Sequence, residues 1–202
     1  ERAVSVRREK LPHRTVAPSR SGDVGLVKIS EFNERTLGDY RRALRRELRG
    51  CRAIAIDLRG NPGGVVSAAT DVACLYLPRG AVVTKMMAAK GSTDDFKSVN
   101  WWADTKTSLL VLVDAETASA SEIMTAALGD NRRAAVVGFT TFGKSRAQAL
   151  VTLCDGSGII FSAREYFSPL GLPLSGGYRP PVCARLRRDL TADSIRRDPA
   201  GG

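Results

Sequence analysis

Short blocks of apolar residues alternate with polar ones along most of this chain. Residues 24–30 (VGLVKIS) read as a strand. Over residues 36–49, Leu37, Tyr40, Leu44 and Leu48 recur at the three-to-four spacing of a helix with one buried face. Thr36 is placed to cap that helix and Gly50 to end it. Residues 53–56, 108–113 and 134–137 are continuous apolar runs, the signature of strands buried on both faces of a sheet. Helical spacing returns over 65–77 and 119–130, and residues 81–87 form a further strand. Strands and helices alternating in this way predict an α/β fold in layers rather than a sandwich. Residues 146–163 depart from the alternation: two extended runs flank Asp155-Gly156-Ser157-Gly158, a hairpin signal. The stretch 89–106, with its Trp101-Trp102 pair, reads as a loop. Residues 2–8 read as a short strand entering a linker that contains Pro12 and Pro18, and 184–202 as a polar, Arg-rich, frayed tail.

With 202 residues, 43% hydrophobic and 26% charged, the chain has the makeup of one globular domain, large enough to fold without disulfides or a metal. No apolar run reaches the ~18 residues of a membrane-spanning helix. The chain opens at Glu1 without a charged-then-apolar leader, so the sequence gives no address of its own. The formal charge is +10, and residues 1–52 hold 14 basic against 7 acidic residues. Arg41, Arg42, Arg45, Arg46 and Arg49 lie on the predicted helix opposite its apolar positions, which favours a solvated outer face over a phosphate-binding one. Attraction to acidic partners at long range stays open. Cys51, Cys74, Cys154 and Cys183 form no C-x-x-C pair and have no nearby histidine, so zinc spacings are absent; two disulfides or four free thiols remain open.

Chemistry has few places to sit. The one histidine, His13, lies in the Pro-flanked segment, a poor position for a general base, so a nucleophile here needs another proton acceptor, and lysine is the alternative. Thr117-Ala118-Ser119-Ala120-Ser121-Glu122-Ile123 joins a buried strand to a helix. A serine there faces the positive end of the helix dipole, beside free backbone N–H groups. The competing reading is a capping box, Ser119-x-x-Glu122, with Ser119 merely capping the helix. Gly138-Phe139-Thr140-Thr141-Phe142-Gly143-Lys144-Ser145 matches the phosphate-cradling pattern G-x-x-x-x-G-K-S, with residues 53–57 resembling its partner strand. Against nucleotide binding, the loop leads into the hairpin rather than a helix, carries two phenylalanines, and follows the Asp57 strand instead of preceding it. Without nucleotide, Lys144 sits between Phe142 and an apolar strand, a setting that desolvates an ammonium; the alternative is a surface lysine on a turn.

Taken together, Asp57-Leu58-Arg59-Gly60-Asn61-Pro62-Gly63-Gly64, Ser119-Ala120-Ser121-Glu122-Ile123 and Phe142-Gly143-Lys144 followed by Gln148 resemble the carboxyl-terminal processing peptidases, or tail-specific proteases. Residues 25–29 with Phe32, residues 155–157 and Tyr166-Phe167-Ser168-Pro169-x-Gly171 extend the likeness over residues 22–180. The resemblance implies a crotonase-like α/β fold in a single domain, with Ser119 as nucleophile, Lys144 as general base and Gln148 orienting the lysine. It implies an oxyanion hole from the Ala120 N–H and a backbone N–H of Gly63 or Gly64. The reaction implied is serine-type endopeptidase cleavage near the C-terminus of proteins with unstructured, apolar tails, without cofactor or metal, in a thylakoid lumen or bacterial periplasm. In domain terms it implies residues 1–21 as the strand and linker after an absent upstream PDZ module, residues 22–183 as the protease core and 184–202 as the tail. Four features depart from the pattern: Ser145 and Arg146 follow the lysine, Phe139 stands where Glu is common, and residues 175–181 follow the closing motif loosely. Arg146 and the absent module motivate a second reading, a catalytically silent peptide-binding relative; nucleotide binding is the third.

Overall fold

A computed structural model describes residues 14–88 and 93–183. Its elements run β1 (Val16–Ser21), β2 (Val24–Ile29), α1 (Thr36–Arg45), β3 (Ala53–Asp57), α2 (Val66–Cys74), β4 (Val82–Ala88), β5 (Thr93–Lys97), β6 (Ser108–Val113), α3 (Ala120–Asp130), β7 (Ala135–Gly138), β8 (Arg146–Thr152), β9 (Gly158–Phe167), a 3-10 turn (Leu174–Gly176) and β10 (Val182–Cys183). The fold is mixed α/β. One sheet has the order β1-β2-β3-β6-β7-β10, and its pairs are parallel apart from the antiparallel β1–β2 hairpin; a second, antiparallel sheet has the order β5-β4-β9-β8.

The apolar runs take their places for the expected reason. Alternate residues of β2, β3, β6 and β7 (Val27, Ile29, Ile54, Ile56, Val111, Val113, Val136) pack under the three helices, which contribute Tyr40, Val72, Met124 and Leu128. The intervening Leu26, Ala55 and Leu112 are buried on the opposite face, so these strands are apolar on both sides. Parallel strands put all their C-terminal ends at one pole. The turns leaving that pole are residues 30–35, 58–65, 114–119 and 139–145, which include every catalytic and oxyanion residue expected from sequence except Ala120 and Gln148, the first of which opens α3.

The structure corrects the expected elements in several places. The segment containing Pro18 is not a linker: it is β1, where Pro18 pairs with Val27 on a sheet edge, the position a residue without N–H tolerates. Helix α1 begins at Thr36 rather than after it, with Arg35 as the N-cap residue, because the Thr36 hydroxyl turns back to accept the Asn33 N–H at 2.9 Å and meets Thr15 Oγ1 at 3.2 Å. The helix also ends at Arg45, and the chain reaches Gly50 through a turn. Residues 93–97, expected as loop, form β5; their polar side chains are all exposed, and pairing with β4 rather than burial makes the strand. The predicted strand at 2–8 and the tail at 184–202 lie outside the described residues. Arg41, Arg42, Arg45, Arg46 and Arg49 are exposed, and the four cysteines are free thiols.

Candidate active site

The turn after β3 and the turn after β6 are built as one unit. The Asp57 carboxylate accepts two hydrogen bonds from the Arg59 guanidinium, both at 2.8 Å, which closes the end of β3 and raises the Arg59 pKa. The Thr117 hydroxyl donates to the Leu58 carbonyl at 2.9 Å, and the Gly60 N–H to Asp114 Oδ1 at 3.0 Å. Asn61 is wholly buried: its amide donates to the Ile29 carbonyl, its side-chain oxygen accepts the Gly63 N–H, each at 2.9 Å, and its own carbonyl accepts the Ala118 N–H at 3.0 Å. Gly63, at φ 105°, is consequently pressed on the serine: a Cβ there would lie 2.8 Å from Ser119 Cβ and 3.0 Å from the Ala120 nitrogen. Only glycine allows that approach.

Ser119 is the N-cap residue of α3, at φ 57° and ψ −118°. Among the described non-glycine residues only it and Arg132 have positive φ. This is a sharp strand-to-helix turn, and it costs of order 1–3 kcal/mol for a side-chain-bearing residue. The capping box expected from Ser119-x-x-Glu122 is formed as well. A cap and a strained backbone coincide at this residue.

Glu122 does more than cap. Its fully buried carboxylate accepts the Ser119 N–H at 2.8 Å, the Thr141 hydroxyl at 2.5 Å, the Gly143 N–H at 2.7 Å and the Lys144 N–H at 2.8 Å. One side chain therefore fixes the backbone of Ser119 relative to that of Lys144. The Phe142 N–H adds a bond to the Thr117 carbonyl at 2.9 Å. The loop is held from the other side by Tyr178, whose carbonyl accepts the Thr141 N–H at 3.1 Å and whose N–H donates to the Thr141 hydroxyl at 2.7 Å, and by Ser175, whose carbonyl would lie 2.7 Å from a Cβ on Gly143. Burial and the Asp130 carboxylate push the Tyr178 phenol up to about 12. Sequence reasoning saw Glu122 only as a cap and took in Asn61, Thr141 and Tyr178 only inside longer motifs without assigning them a role; the S-x-x-E spacing was the available signal for the first, and membership of those motifs for the others.

The placement of the expected residues is uneven. Ser119, Ala120, Gly63 and Gly64 come together. The Ala120 N–H, first in α3, has no helical acceptor, and among the described residues the Gly64 N–H donates to nothing, whereas the Gly63 N–H is taken by Asn61. Lys144 joins them through its backbone, but its side chain is exposed, so the desolvated setting expected between Phe142 and an apolar strand is not formed here; Phe142 itself is 68% exposed and shields nothing. Gln148 lies on β8 opposite Ser162, and its side chain is outside the described residues. No helix follows Lys144: residues 146–152 are strand, the wrong continuation for a phosphate loop. Among the described residues no group of three or more His, Cys, Asp or Glu side chains is disposed to hold a metal ion.

The profile of peptidase family S41 matches residues 23–180. The chain belongs to that family. It is 38% identical over 160 residues to carboxyl-terminal-processing peptidase 3, chloroplastic, of Arabidopsis thaliana, covering 79% of this chain and 31% of that protein. It is 40% identical over 153 residues to the carboxyl-terminal-processing protease of Synechocystis, covering 75% and 35% respectively. The solved photosystem II D1 C-terminal processing protease superposes with a TM-score of 0.77 at 30% identity, over 88% of this chain and 50% of that one. This S41 chain thus spans about a third of the length of those two relatives.

Proposed function

We propose that the chain is the catalytic core of a serine-type endopeptidase that cleaves proteins near their C-termini, through a Ser119–Lys144 dyad in a crotonase-like frame. The observation that carries this reading is the strained turn at Ser119, whose N–H shares the Glu122 carboxylate with the N–H of Lys144. A cap alone needs no positive φ, because an N-cap residue normally has extended backbone.

In the reaction, a substrate tail laid over Ser119 displaces water from around the Lys144 amine and covers the two side chains together. Neutral Lys144 Nζ takes the Ser119 hydroxyl proton as Oγ attacks the peptide carbonyl carbon. The Ala120 and Gly64 N–H groups hold the oxyanion. Collapse of the tetrahedral intermediate expels the amine, which takes the proton back from Lys144. Water, deprotonated by the same lysine, then hydrolyses the acyl-enzyme and frees Ser119. Gln148 orients the amine. Disordered, apolar protein tails are the substrate class, and a thylakoid lumen or bacterial periplasm the compartment; the relatives' names support action at protein C-termini and, for the Arabidopsis one, a chloroplast setting.

The test is hydrolysis of peptides with apolar C-terminal residues, read by mass spectrometry. Ser119→Ala and Lys144→Ala should each lower kcat by about 10⁴-fold or more. Equal cleavage by the variants, or none by the parent chain, overturns the assignment.

A further inference from the structure

The pole opposite the site carries its own pattern. The turns entering the parallel strands hold Arg46, Arg49 and Arg52 before β3, Lys106 before β6 and Arg132 before β7, all exposed. They share one end of the sheet: the Ser108 N–H donates to the Arg52 carbonyl at 2.9 Å, and Arg133 donates to the Thr107 carbonyl. Glu47, Asp23, Asp104, Asp130 and the groove-lining Asp71 are the acidic members of this pole, and Asp104 is engaged with the Lys106 and Thr107 N–H groups; Arg79, Lys97 and Arg133 add to the cations named above, so the balance stays positive.

Beside these cations, the turn before β6 projects Val99 at 79%, Trp101 at 71% and Trp102 at 90% exposure. With Cys74 and Phe96 the tryptophans border an open groove of about 390 Å³ at the C-terminal end of α2. Arg79 stacks on Trp101, its guanidinium carbon 4.0 Å from the ring centroid. Leaving two adjacent indoles in water is costly, and contiguous exposed apolar surface of this kind marks an interaction site. The groove's polar lining, Asp71, Lys97 and Asn100, is one group of each kind rather than a cluster for a small ligand, and Trp102 on its border stands largely out in solvent. Amphipathic indoles ringed by Arg and Lys match the boundary of a bilayer, where the ring sits at headgroup level and the cations meet anionic lipid.

We infer that this pole docks on an anionic membrane surface, Trp101 and Trp102 entering the headgroup layer and Arg46, Arg49 and Arg52 contacting lipid phosphates, so that the Ser119 pole faces away from the bilayer. The inference does not depend on the peptidase reading, and Ser119→Ala should dock like the parent.

The test uses the 202-residue chain with phosphatidylcholine vesicles, with and without phosphatidylglycerol. Because Trp101 and Trp102 are the only tryptophans, indole fluorescence reports on this site alone. Co-sedimentation is expected only with the anionic vesicles, weakening as salt rises, and with a blue shift in emission. R46Q/R49Q/R52Q together should weaken binding roughly a hundredfold. Trp102→Ser should weaken it several-fold while Trp101 still reports, and circular dichroism of each variant checks its fold. Sedimentation without an emission shift overturns the proposal, as do affinity untouched by the arginine changes, absence of binding, or tighter binding to a single-stranded oligonucleotide than to vesicles at equal salt.

Discussion

Ser119 holds a backbone conformation that a side-chain-bearing residue adopts only under constraint, and the constraints are identifiable. Gly63 presses on it from the β3 turn and Glu122 holds its N–H from within α3. Replacing Ser119 by glycine relieves the strain while sacrificing little of the cap, so Ser119→Gly should be more stable than Ser119→Ala by about 1 kcal/mol in denaturant unfolding. The opposite order means the turn is not strained. Glu122→Ala should have the largest effect of any single change at the site. It leaves the N–H groups of Ser119, Gly143 and Lys144 without an acceptor, a loss of about 3 kcal/mol or more, with peptidase activity falling alongside. Gly63→Ala brings a methyl to 2.7 Å from the Ala118 carbonyl at φ 105°, and should cost about 2–4 kcal/mol and displace Ser119. Unchanged melting in either variant removes the packing account of the site.

Among the elements, α1 meets the turn after α2 through a buried phenol pair, Tyr40 and Tyr76, whose oxygens lie 2.8 Å apart. Burial pushes both phenols above their ordinary range, reinforced at Tyr40 by the neighbouring Tyr76. For an acid whose folded pKa is raised, folding favours the neutral form, so the pair's contribution is complete below the unfolded value of ~10 and is lost as pH climbs beyond it. The melting temperature should therefore fall steeply above about pH 10, and the double change Tyr40→Phe and Tyr76→Phe should flatten that fall. A slope unaffected by the double change places the alkaline transition elsewhere. These helices were legible in the sequence because apolar spacing determines a helix with one buried face, and the strands β3, β6 and β7 because a fully buried strand has no polar position. β1 and β5 were not legible. A proline and a run of charged residues argue locally against strands, and only a sheet edge offered by β2 or β4 makes them so. The site residues of the serine turn and the lysine loop stood out as motifs, but the carboxylate that joins them looked like an ordinary cap, since its other three partners lie about twenty residues away.

In the whole molecule, the site lies where two unlike sheets meet: Ser119 sits in the turn after β6 of the mostly parallel sheet, and Lys144 in the turn that leads into β8 of the antiparallel one. The first is buried on both faces, while Val151, Ile159, Ile160 and Phe161 of the β8–β9 hairpin are 46–64% exposed. Amides of β8 and β9 should thus exchange with deuterium at least about a hundredfold faster than those of β3 and β6; equal protection would show one cooperative unit. The order in which the chain is made adds a final consequence of the shared carboxylate. A polypeptide that has emerged only as far as β7 contains the serine, its elbow and the glycine turn, yet Glu122 then lacks three of its four donors, all of which come from residues 141–144. The seat of Ser119 is completed only when residues 141–144 arrive to share the carboxylate, so a nascent or truncated chain stopping short of that loop carries the serine turn without the contacts that set it.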